Sequence, residues 1–228
     1  MGKDYKLGII TYEVPHQKTE FVLLSLLKKY KASELKIFAL PFVPRPERQV
    51  LFPHRPDQTN ASPAKEYAGA FSIAYSECSI DTEITDDCSL YLILCSKLLS
   101  RETVRNKRIV NVHPGIVPIC KGLDAFKWAI YDMKPLGLTM HYIDENVDEG
   151  RIISIVRTPV FASDSLQNLA WRHYQNELIM TSNFEWYLTS PKIEYHTDKD
   201  TAPTRRMPLD TERELSNKFV EYKKIYAE

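Results

Sequence analysis

The alternation of apolar and polar positions predicts strands and helices in turn along the first half of the chain. Apolar runs at Tyr5–Thr11 and Leu35–Leu40 have the length of buried strands, and Thr19–Tyr30 repeats apolar residues at helical spacing. A Ser-Pro pair, typical of a helix start, predicts a second helix over residues 64–77.

The same pattern continues through the second half. A short helix capped by Ser100 and a long helix over Asp164–Leu188, capped by Asp164, are predicted. Further strands are predicted over Leu90–Cys95, Arg108–Val112, Gly137–Ile143 and Arg151–Val160. The alternation indicates an α/β fold with a Rossmann-like, mostly parallel sheet and helices on both faces.

The character of the chain changes near its C-terminal end. Residues 192–197 and 204–208 flank a polar turn, which predicts a β-hairpin, and Asp210–Tyr226 carries an apolar stripe. That stripe must pack on the main domain or on another subunit. We therefore expect a main domain over residues 1–188 and a C-terminal hairpin and helix over 189–228, a candidate dimerisation element.

Residues 41–58 form a proline-rich segment that cannot be helix or central strand. Five prolines fall in this stretch, together with Arg45, Arg48 and Arg55. Long irregular loops in compact domains tend to be functional or mobile, and the sequence leaves the role of this one open.

Composition narrows the function classes. Thirty basic and thirty acidic side chains give a net charge of zero, which disfavours a nucleic-acid binder. The four cysteines contain no CxxC pair, so we expect reduced thiols in a cytoplasmic protein without a metal site. The N-terminal segment resembles neither a signal peptide nor a membrane span.

Nucleotide-binding motifs are missing from the first predicted βα turn. The sequence TYEVPHQK stands where a GxGxxG or Walker loop would be needed, and the chain has seven glycines in all. A dinucleotide-dependent oxidoreductase or a kinase is therefore disfavoured.

Candidate chemistry concentrates after the strand that ends near residue 112. Asn111 and His113 stand two residues apart at the carboxyl end of that strand, where open parallel sheets bind ligands. Pro114 then ends the strand, and Gly115 permits a sharp turn. An alternative interpretation is that both side chains only satisfy backbone groups in a turn.

An acidic loop between two later strands is the second candidate. Asp144, Glu145, Asp148 and Glu149 lie in it, bounded by Gly150. Taken alone, these carboxylates indicate a solvated turn or a weak cation site, because their spacing is not that of an EF-hand.

Together, these segments resemble the folate-dependent formyltransferase family, and most closely the bacterial sugar N-formyltransferases within it. The resemblance covers about Leu90 to Phe161, and the first eighty residues match in architecture alone. The matching positions, in order, are Asn111, His113, Pro114, Gly115, Pro118, Gly122, Thr139, His141, Asp144, Asp148, Gly150, Ile152 and Ile153.

The resemblance implies 10-formyltetrahydrofolate as cosubstrate and Asn111, His113 and Asp148 as the catalytic residues. It also implies that two backbone segments hold the pterin. The residues of those segments are Lys97, Leu98 and Leu99, and Asp144, Glu145, Asn146 and Val147.

The chemistry of these side chains agrees with that implication. His113 can act as a general base and proton shuttle, and the amide of Asn111 can donate to an oxyanion. Asp148 can orient the imidazole. His141 is equally compatible with a core hydrogen-bond network, and Cys120 is interpreted as a small turn residue rather than a nucleophile.

The acceptor amine is inferred by elimination among relatives of the family. Glycinamide ribonucleotide formyltransferases resemble one another in a glycine-rich turn that cradles the substrate phosphate, and TYEVPHQK contains no glycine. Methionyl-tRNA formyltransferases and formyltetrahydrofolate hydrolases resemble the same core but carry further domains, for which we expect no room. A nucleotide-linked amino deoxysugar of a surface-polysaccharide pathway, such as O-antigen of lipopolysaccharide, remains.

Substrate-binding candidates follow from that choice. The cations of the proline-rich segment and the Arg205-Arg206 pair could hold a diphosphate, although each could equally be a solvated charge. Near the first strand and the turn at residue 121, the candidates are Tyr12, His16, Lys18 and Lys121.

Two other interpretations stay open. The acceptor could be a non-sugar amine, such as an amino acid, a peptide or a tRNA-linked amine. Alternatively, the protein could be a non-catalytic folate-binding module. We expect a homodimer and no nucleic-acid or membrane partner.

Overall fold

A computed structural model describes residues 4–44, 46–145, 150–190 and 202–228. The strands are β1 (Tyr5–Tyr12), β2 (Leu35–Leu40), β3 (Ala74–Glu77), β4 (Cys88–Ile93), β5 (Ile109–His113), β6 (Gly137–Tyr142) and β7 (Ile152–Arg157). The helices are α1 (Gln17–Leu26), α2 (Ala64–Phe71), α3 (Arg101–Arg105), α4 (Ala125–Tyr131), α5 (Leu166–Ser182), α6 (Phe184–Thr189), α7 (Leu209–Arg213) and α8 (Leu215–Tyr226).

The seven strands form one mostly parallel sheet in the order β3-β2-β1-β4-β5-β6-β7. Strands β1, β2, β3, β4 and β5 pair in parallel, while β7 runs antiparallel to β6. The predicted α/β class is confirmed. Parallel strands are joined by helical crossovers, as the alternating sequence pattern indicates.

The chain divides into two compact units. The first contains Met1–Arg45, Asp57–Asn111 and Tyr142–Glu145, and the second contains Pro46–Pro56, Val112–His141 and Asn146–Glu228. Strand β5 passes from the first unit into the second between Asn111 and Val112.

The core of the first unit explains why its strands are continuous apolar runs. Ile10, Phe38, Tyr91 and Ile109 are buried together, each with 1% or less of its surface exposed. Central strands of a parallel sheet are covered on both faces, so they lack the alternation of a one-sided sheet.

The second unit buries the apolar stripe of the last helix within the same chain. Leu215, Phe219 and Tyr222 of α8 pack in one cluster with residues of α4. The hydroxyl of Tyr222 donates to the carbonyl of Lys134 at 2.9 Å. The first of the two predicted alternatives, packing on the chain's own domain, is therefore the one observed. The homodimer stays a prediction without support from this stripe.

The predicted helix over residues 64–77 is wrong in its second half. Helix α2 ends at Phe71 because Ser72 adopts a left-handed conformation with φ 57°, and residues 74–77 form strand β3 beside β2. The helix begins after Pro63 without a side-chain cap.

The long helix predicted from Asp164 is also wrong in detail. Ser165, not Asp164, caps α5, and the helix stops before Asn183, after which α6 begins. Asp164 instead accepts hydrogen bonds from the backbone N–H of Phe161 and from the guanidinium of Arg172.

Helix α4 was not predicted, and α1 lies two to four residues earlier than its apolar repeat indicated. Most of the predicted C-terminal hairpin falls on residues 191–201, which lie outside the described residues. In the part of the chain that the structure describes, no helix has both the length and the apolarity to cross a bilayer.

Residues 46–56 of the proline-rich segment form an irregular strap on the second unit. Arg48 bonds to the carboxylate of Asp124 at 2.9 Å and to the carbonyl of Met207 at 2.7 Å. The backbone N–H groups of Leu51 and Phe52 donate to the carboxylate of Glu212. The strap is thus held by side chains, in agreement with the predicted lack of regular structure.

Candidate functional site

Strand β5 carries the two residues at the centre of the predicted site. Asn111 is half-buried within the strand, and His113 is its last residue, with 4% of its surface exposed. The alternation of a strand places both side chains on the same side of β5.

The turn after β5 fixes the ring of His113. Its Nε2 atom lies 3.0 Å from the carbonyl oxygen of Cys120. A carbonyl can only accept, which assigns the proton to Nε2 and the lone pair of the neutral ring to Nδ1. The ring therefore has a defined tautomer.

Gly115 lies so close to this ring that a side chain does not fit. A β-carbon at this position would collide with the carbonyl oxygen of Cys120, and it would lie 2.8 Å from Nε2 of His113 and 3.0 Å from the β-carbon of Ala125. The glycine expected at this sharp turn thus allows the backbone to lie close to the imidazole of His113.

Thr139 of β6 braces the same turn. Its hydroxyl donates to the carbonyl of Gly115 at 2.7 Å and accepts from the backbone N–H of Val117 at 3.0 Å. Sequence reasoning placed Thr139 in the family pattern without a role, and the structure shows this role.

The C-terminal segment explains why residue 122 is a glycine. Gly122 has φ +89°, and a β-carbon there would collide with the backbone of Thr204. Thr204 and Gly122 form a β-bridge, and the backbone N–H of Leu123 donates to the carbonyl of Thr204 at 2.9 Å. The neighbouring Lys121, a predicted substrate-binding residue, has 1% of its surface exposed.

In the first unit, two of the predicted substrate-binding residues lie together at the carboxyl end of β1. The hydroxyl of Tyr12 accepts from the backbone N–H of Ser96 at 3.2 Å, and its ring meets the ring of His16 edge-on. His16 Nδ1 lies 2.7 Å from the hydroxyl of Thr19. Lys18 is buried, with 5% of its surface exposed.

The first predicted pterin segment connects β4 to α3. Leu98 is 73% exposed in this loop, whereas Leu99 packs against the core of the first unit. The assignment of this loop to the pterin stays a prediction.

The second predicted pterin segment is described in part. Asp144 is exposed, and the carboxylate of Glu145 pairs with Arg101 at 2.6 Å and Arg105 at 2.7 Å. Asn146, Val147 and the predicted catalytic Asp148 lie outside the described residues.

Cys120 has the environment of a packing residue. Its thiol lies 3.2 Å from the carbonyl of Ala125, and burial raises the pKa of this thiol to about 11. A thiol with that pKa carries almost no thiolate near neutral pH, so it is a poor nucleophile.

A buried histidine that sequence reasoning missed lies behind the turn. His173 of α5 lies 3.3 Å from the carbonyl of Pro114 through Nε2, and 2.8 Å from the hydroxyl of Thr158 through Nδ1. The sequence feature that could have identified His173 is its position on the same buried, apolar face of α5 as Leu169.

Comparison with known proteins gives the family. The family model described as formyl transferase matches residues 60–183, more than half of the chain. The chain belongs to this family. The match includes the turn built around His113.

Curated relatives match a smaller part of their own length. The phosphoribosylglycinamide formyltransferase of Bacillus subtilis is 32% identical over 81 residues, which cover 35% of this chain and 38% of that enzyme. A trifunctional purine biosynthetic protein from Chironomus tentans is 37% identical over 73 residues, which cover 32% of this chain and 5% of that protein. The chain thus spans well under half of the curated relatives that it matches.

Solved structures share the fold at low identity. A sugar 3N-formyl transferase has a TM-score of 0.62 at 18% identity, covering 90% of this chain and 71% of that one. The phosphoribosylglycinamide formyltransferase of Campylobacter jejuni has a TM-score of 0.57 at 19% identity, covering 80% and 98%. Both classes of formyltransferase have the architecture of this chain.

Proposed function

We propose that this protein transfers the formyl group of 10-formyltetrahydrofolate to the amine of a nucleotide-linked amino deoxysugar. Formyl transfer is supported by the family and by the turn around His113. The sugar acceptor is supported by a different observation, in the first βα turn.

The choice of a sugar acceptor rests on the hydrogen-bond partners of the first backbone N–H groups of α1. The backbone N–H of Gln17 donates to the carbonyl of Gln58 at 2.8 Å, and that of Lys18 donates to the side-chain oxygen of Gln58 at 3.2 Å. A phosphate cradle at a helix start needs those amide groups and usually a glycine-rich turn. Here those N–H groups already donate to Gln58, and the turn has no glycine.

In the proposed reaction, the acceptor nitrogen attacks the formyl carbon and the bond from that carbon to the folate nitrogen breaks. His113 takes the proton of the amine on Nδ1, because Nε2 already donates to Cys120, and passes it to the departing nitrogen. The Asn111 amide stabilises the oxyanion, and Asp148 stabilises the protonated ring.

A second candidate acceptor is glycinamide ribonucleotide. The curated relatives quoted above favour it, since one is a phosphoribosylglycinamide formyltransferase. The fold does not discriminate, because structures of both classes are similar to this chain. The occupied amides of Gln17 and Lys18 weigh against a phosphate at this position.

The wider context is part of the same proposal. The product would serve a surface polysaccharide of the O-antigen type, and the enzyme would act in the cytoplasm as a homodimer. The surface-polysaccharide role rests on the resemblance of the chain around residues 113–150 to sugar N-formyltransferases. The homodimer rests on the resemblance of the C-terminal segment to the C-terminal pieces of those enzymes, and the cytoplasmic location rests on the expected reduced thiols.

The test is a mass-spectrometric assay with 10-formyltetrahydrofolate and a panel of nucleotide-linked 3-amino and 4-amino deoxysugars. We expect one sugar to gain the mass of a formyl group. Tight folate binding without a mass gain on any sugar would contradict the proposal and favour a non-sugar amine or a binding module.

A further inference from the structure

His173 links three parts of the second unit by hydrogen bonds and packing. It lies on α5 with 3% of its surface exposed, between the hydroxyl of Thr158 at 2.8 Å and the carbonyl of Pro114 at 3.3 Å. Pro114 follows directly after His113, so this contact reaches the backbone that carries the proposed base.

The two partners define the protonation of the ring. The Pro114 carbonyl can only accept, so Nε2 of His173 carries the proton. The neutral ring then offers its Nδ1 lone pair, and the hydroxyl of Thr158 donates to it. Both ring nitrogens are therefore satisfied by an uncharged imidazole.

Aromatic rings fix the plane of this imidazole. Phe126 of α4 lies with its centroid 5.4 Å from that of His173, and the ring of His54 stacks on Phe126 at 5.7 Å and 3°. The strap thus contributes a third ring to the group of rings packed beside His173.

Burial favours the neutral ring of His173. It lowers the pKa to about 4 and outweighs the carboxylate of Glu177 and the hydrogen bond to Pro114, which raise the pKa, while the charges of Arg55 and His113 lower it further. Glu177 is itself paired with the guanidinium of Arg55, which reduces its effect on the imidazole.

We infer that His173 is a positioning residue, whose uncharged imidazole holds the Pro114 carbonyl and thereby fixes the orientation of His113 for proton transfer. This inference rests on the proposed function of His113 as the base. It assigns to a residue outside the family motif a role in the rate of the reaction rather than in substrate binding.

Two conservative variants separate the two hydrogen bonds. In His173→Gln the amide nitrogen reaches the place of Nε2 and can still donate to Pro114. In His173→Asn the shorter amide can accept from Thr158 but does not reach Pro114. Both variants remove the imidazole and keep a polar, uncharged side chain, so each is the control for the other.

The kinetic test measures kcat and KM of each variant for the sugar that is formylated in the panel assay. We expect His173→Asn to lower kcat about tenfold to a hundredfold, the scale of a misplaced reacting group, with KM within about twofold. His173→Gln should retain kcat within about threefold. Equal losses in both variants, or no loss in His173→Asn, would overturn the inference.

A second readout does not depend on any acceptor. Nitrogen-15 NMR of the histidine rings should show both His113 and His173 with the proton on Nε2 in the wild type. The His113 ring signals should shift in His173→Asn and stay in place in His173→Gln. Unchanged His113 signals in both variants would overturn positioning, even if no sugar is formylated and the proposed function fails.

Discussion

At the scale of single residues, the site depends on how closely the backbone approaches one imidazole. The hydrogen bond from His113 to the Cys120 carbonyl selects the tautomer of the ring, and the absence of a side chain at Gly115 leaves space for it. Asn, His and Gly in the motif could be found from the sequence, because their spacing and their place after a strand are local properties. Thr139 also stands in the motif, but its hydrogen bonds to the turn could not be predicted from spacing. His173 lies 59 residues after Pro114, so its contact with the turn is not a local property of the sequence.

Replacing His113 with Gln separates the proposed base from its structural hydrogen bond. The glutamine amide can still donate to the Cys120 carbonyl, but it has no lone pair with the basicity of imidazole. We expect turnover to fall by about 10²–10⁴-fold, with folate affinity nearly unchanged. Steady-state kinetics and a folate titration check this, and a variant that keeps more than a tenth of the wild-type rate would contradict it.

Replacing Gly115 with Ala tests the close approach. The new methyl group would force the Cys120 carbonyl and the His113 ring to move, so we expect the protein to lose about 1–3 kcal/mol of stability and most of its turnover. Gly69 of α2 is the matched control, since no atom lies within 4 Å of a β-carbon built there. Gly69→Ala should gain about 0.5–1 kcal/mol in urea unfolding. Equal effects of the two substitutions would contradict the steric explanation.

At the scale of secondary-structure elements, local signals located the strands better than the helix ends. Strand β2 has the predicted bounds, because a short run of buried apolar residues marks both of its ends. The break at Ser72 accompanies the pairing of β3 with β2, a tertiary contact, and Ser165 rather than Asp164 caps α5 because Asp164 pairs with Arg172 instead. Helical periodicity alone does not contain that information.

A buried ion pair joins α4, α7 and the strap. Lys127 pairs with Glu212, both with 1% or less of their side chains exposed, and Glu212 also accepts from two strap N–H groups. Removing the cation leaves a buried charge without its main partner. We expect Lys127→Met to cost about 3–5 kcal/mol of stability in urea unfolding.

The control for this substitution is an exposed ion pair. Lys65 lies 3.4 Å from Glu77 with 70% of its side chain exposed, so Lys65→Met should change stability by less than about 0.5 kcal/mol. A loss of similar size in both variants would contradict the special cost of the buried pair.

At the scale of the whole molecule, buried histidines couple stability to pH. Burial lowers the pKa of His54 to about 3 and that of His173 to about 4, against 6.5 in the unfolded chain. Between these values the unfolded chain binds more protons than the native one, so stability rises with pH. The stabilisation is complete above about pH 6.5 and is lost progressively as the pH falls towards the native pKa values.

We expect His173 alone to contribute a loss on the order of 2 kcal/mol between pH 7.5 and pH 5, and His54 to act in the same direction. Urea unfolding at the two pH values measures the loss. His173→Gln, which has no titratable ring, should reduce the difference. Equal stability of the wild type at both pH values would show that these imidazoles are not held neutral.

The function at this scale was inferred from a motif that covers a limited part of the chain. The family could be predicted because the motif residues follow one another in order around two strands. The choice of acceptor could not be decided by the fold, which sugar and ribonucleotide formyltransferases share. Our choice of acceptor rests on Gln58, which accepts hydrogen bonds from helix N–H groups some forty residues away in the sequence.

The most direct measurement is therefore a competition in a single reaction. The protein is mixed with 10-formyltetrahydrofolate and with equal concentrations of glycinamide ribonucleotide and the panel of nucleotide-linked amino deoxysugars, and the products are weighed by mass spectrometry. Our account predicts that a sugar gains one formyl group while glycinamide ribonucleotide stays unchanged. Formylation of glycinamide ribonucleotide, with every sugar left unmodified, would contradict it.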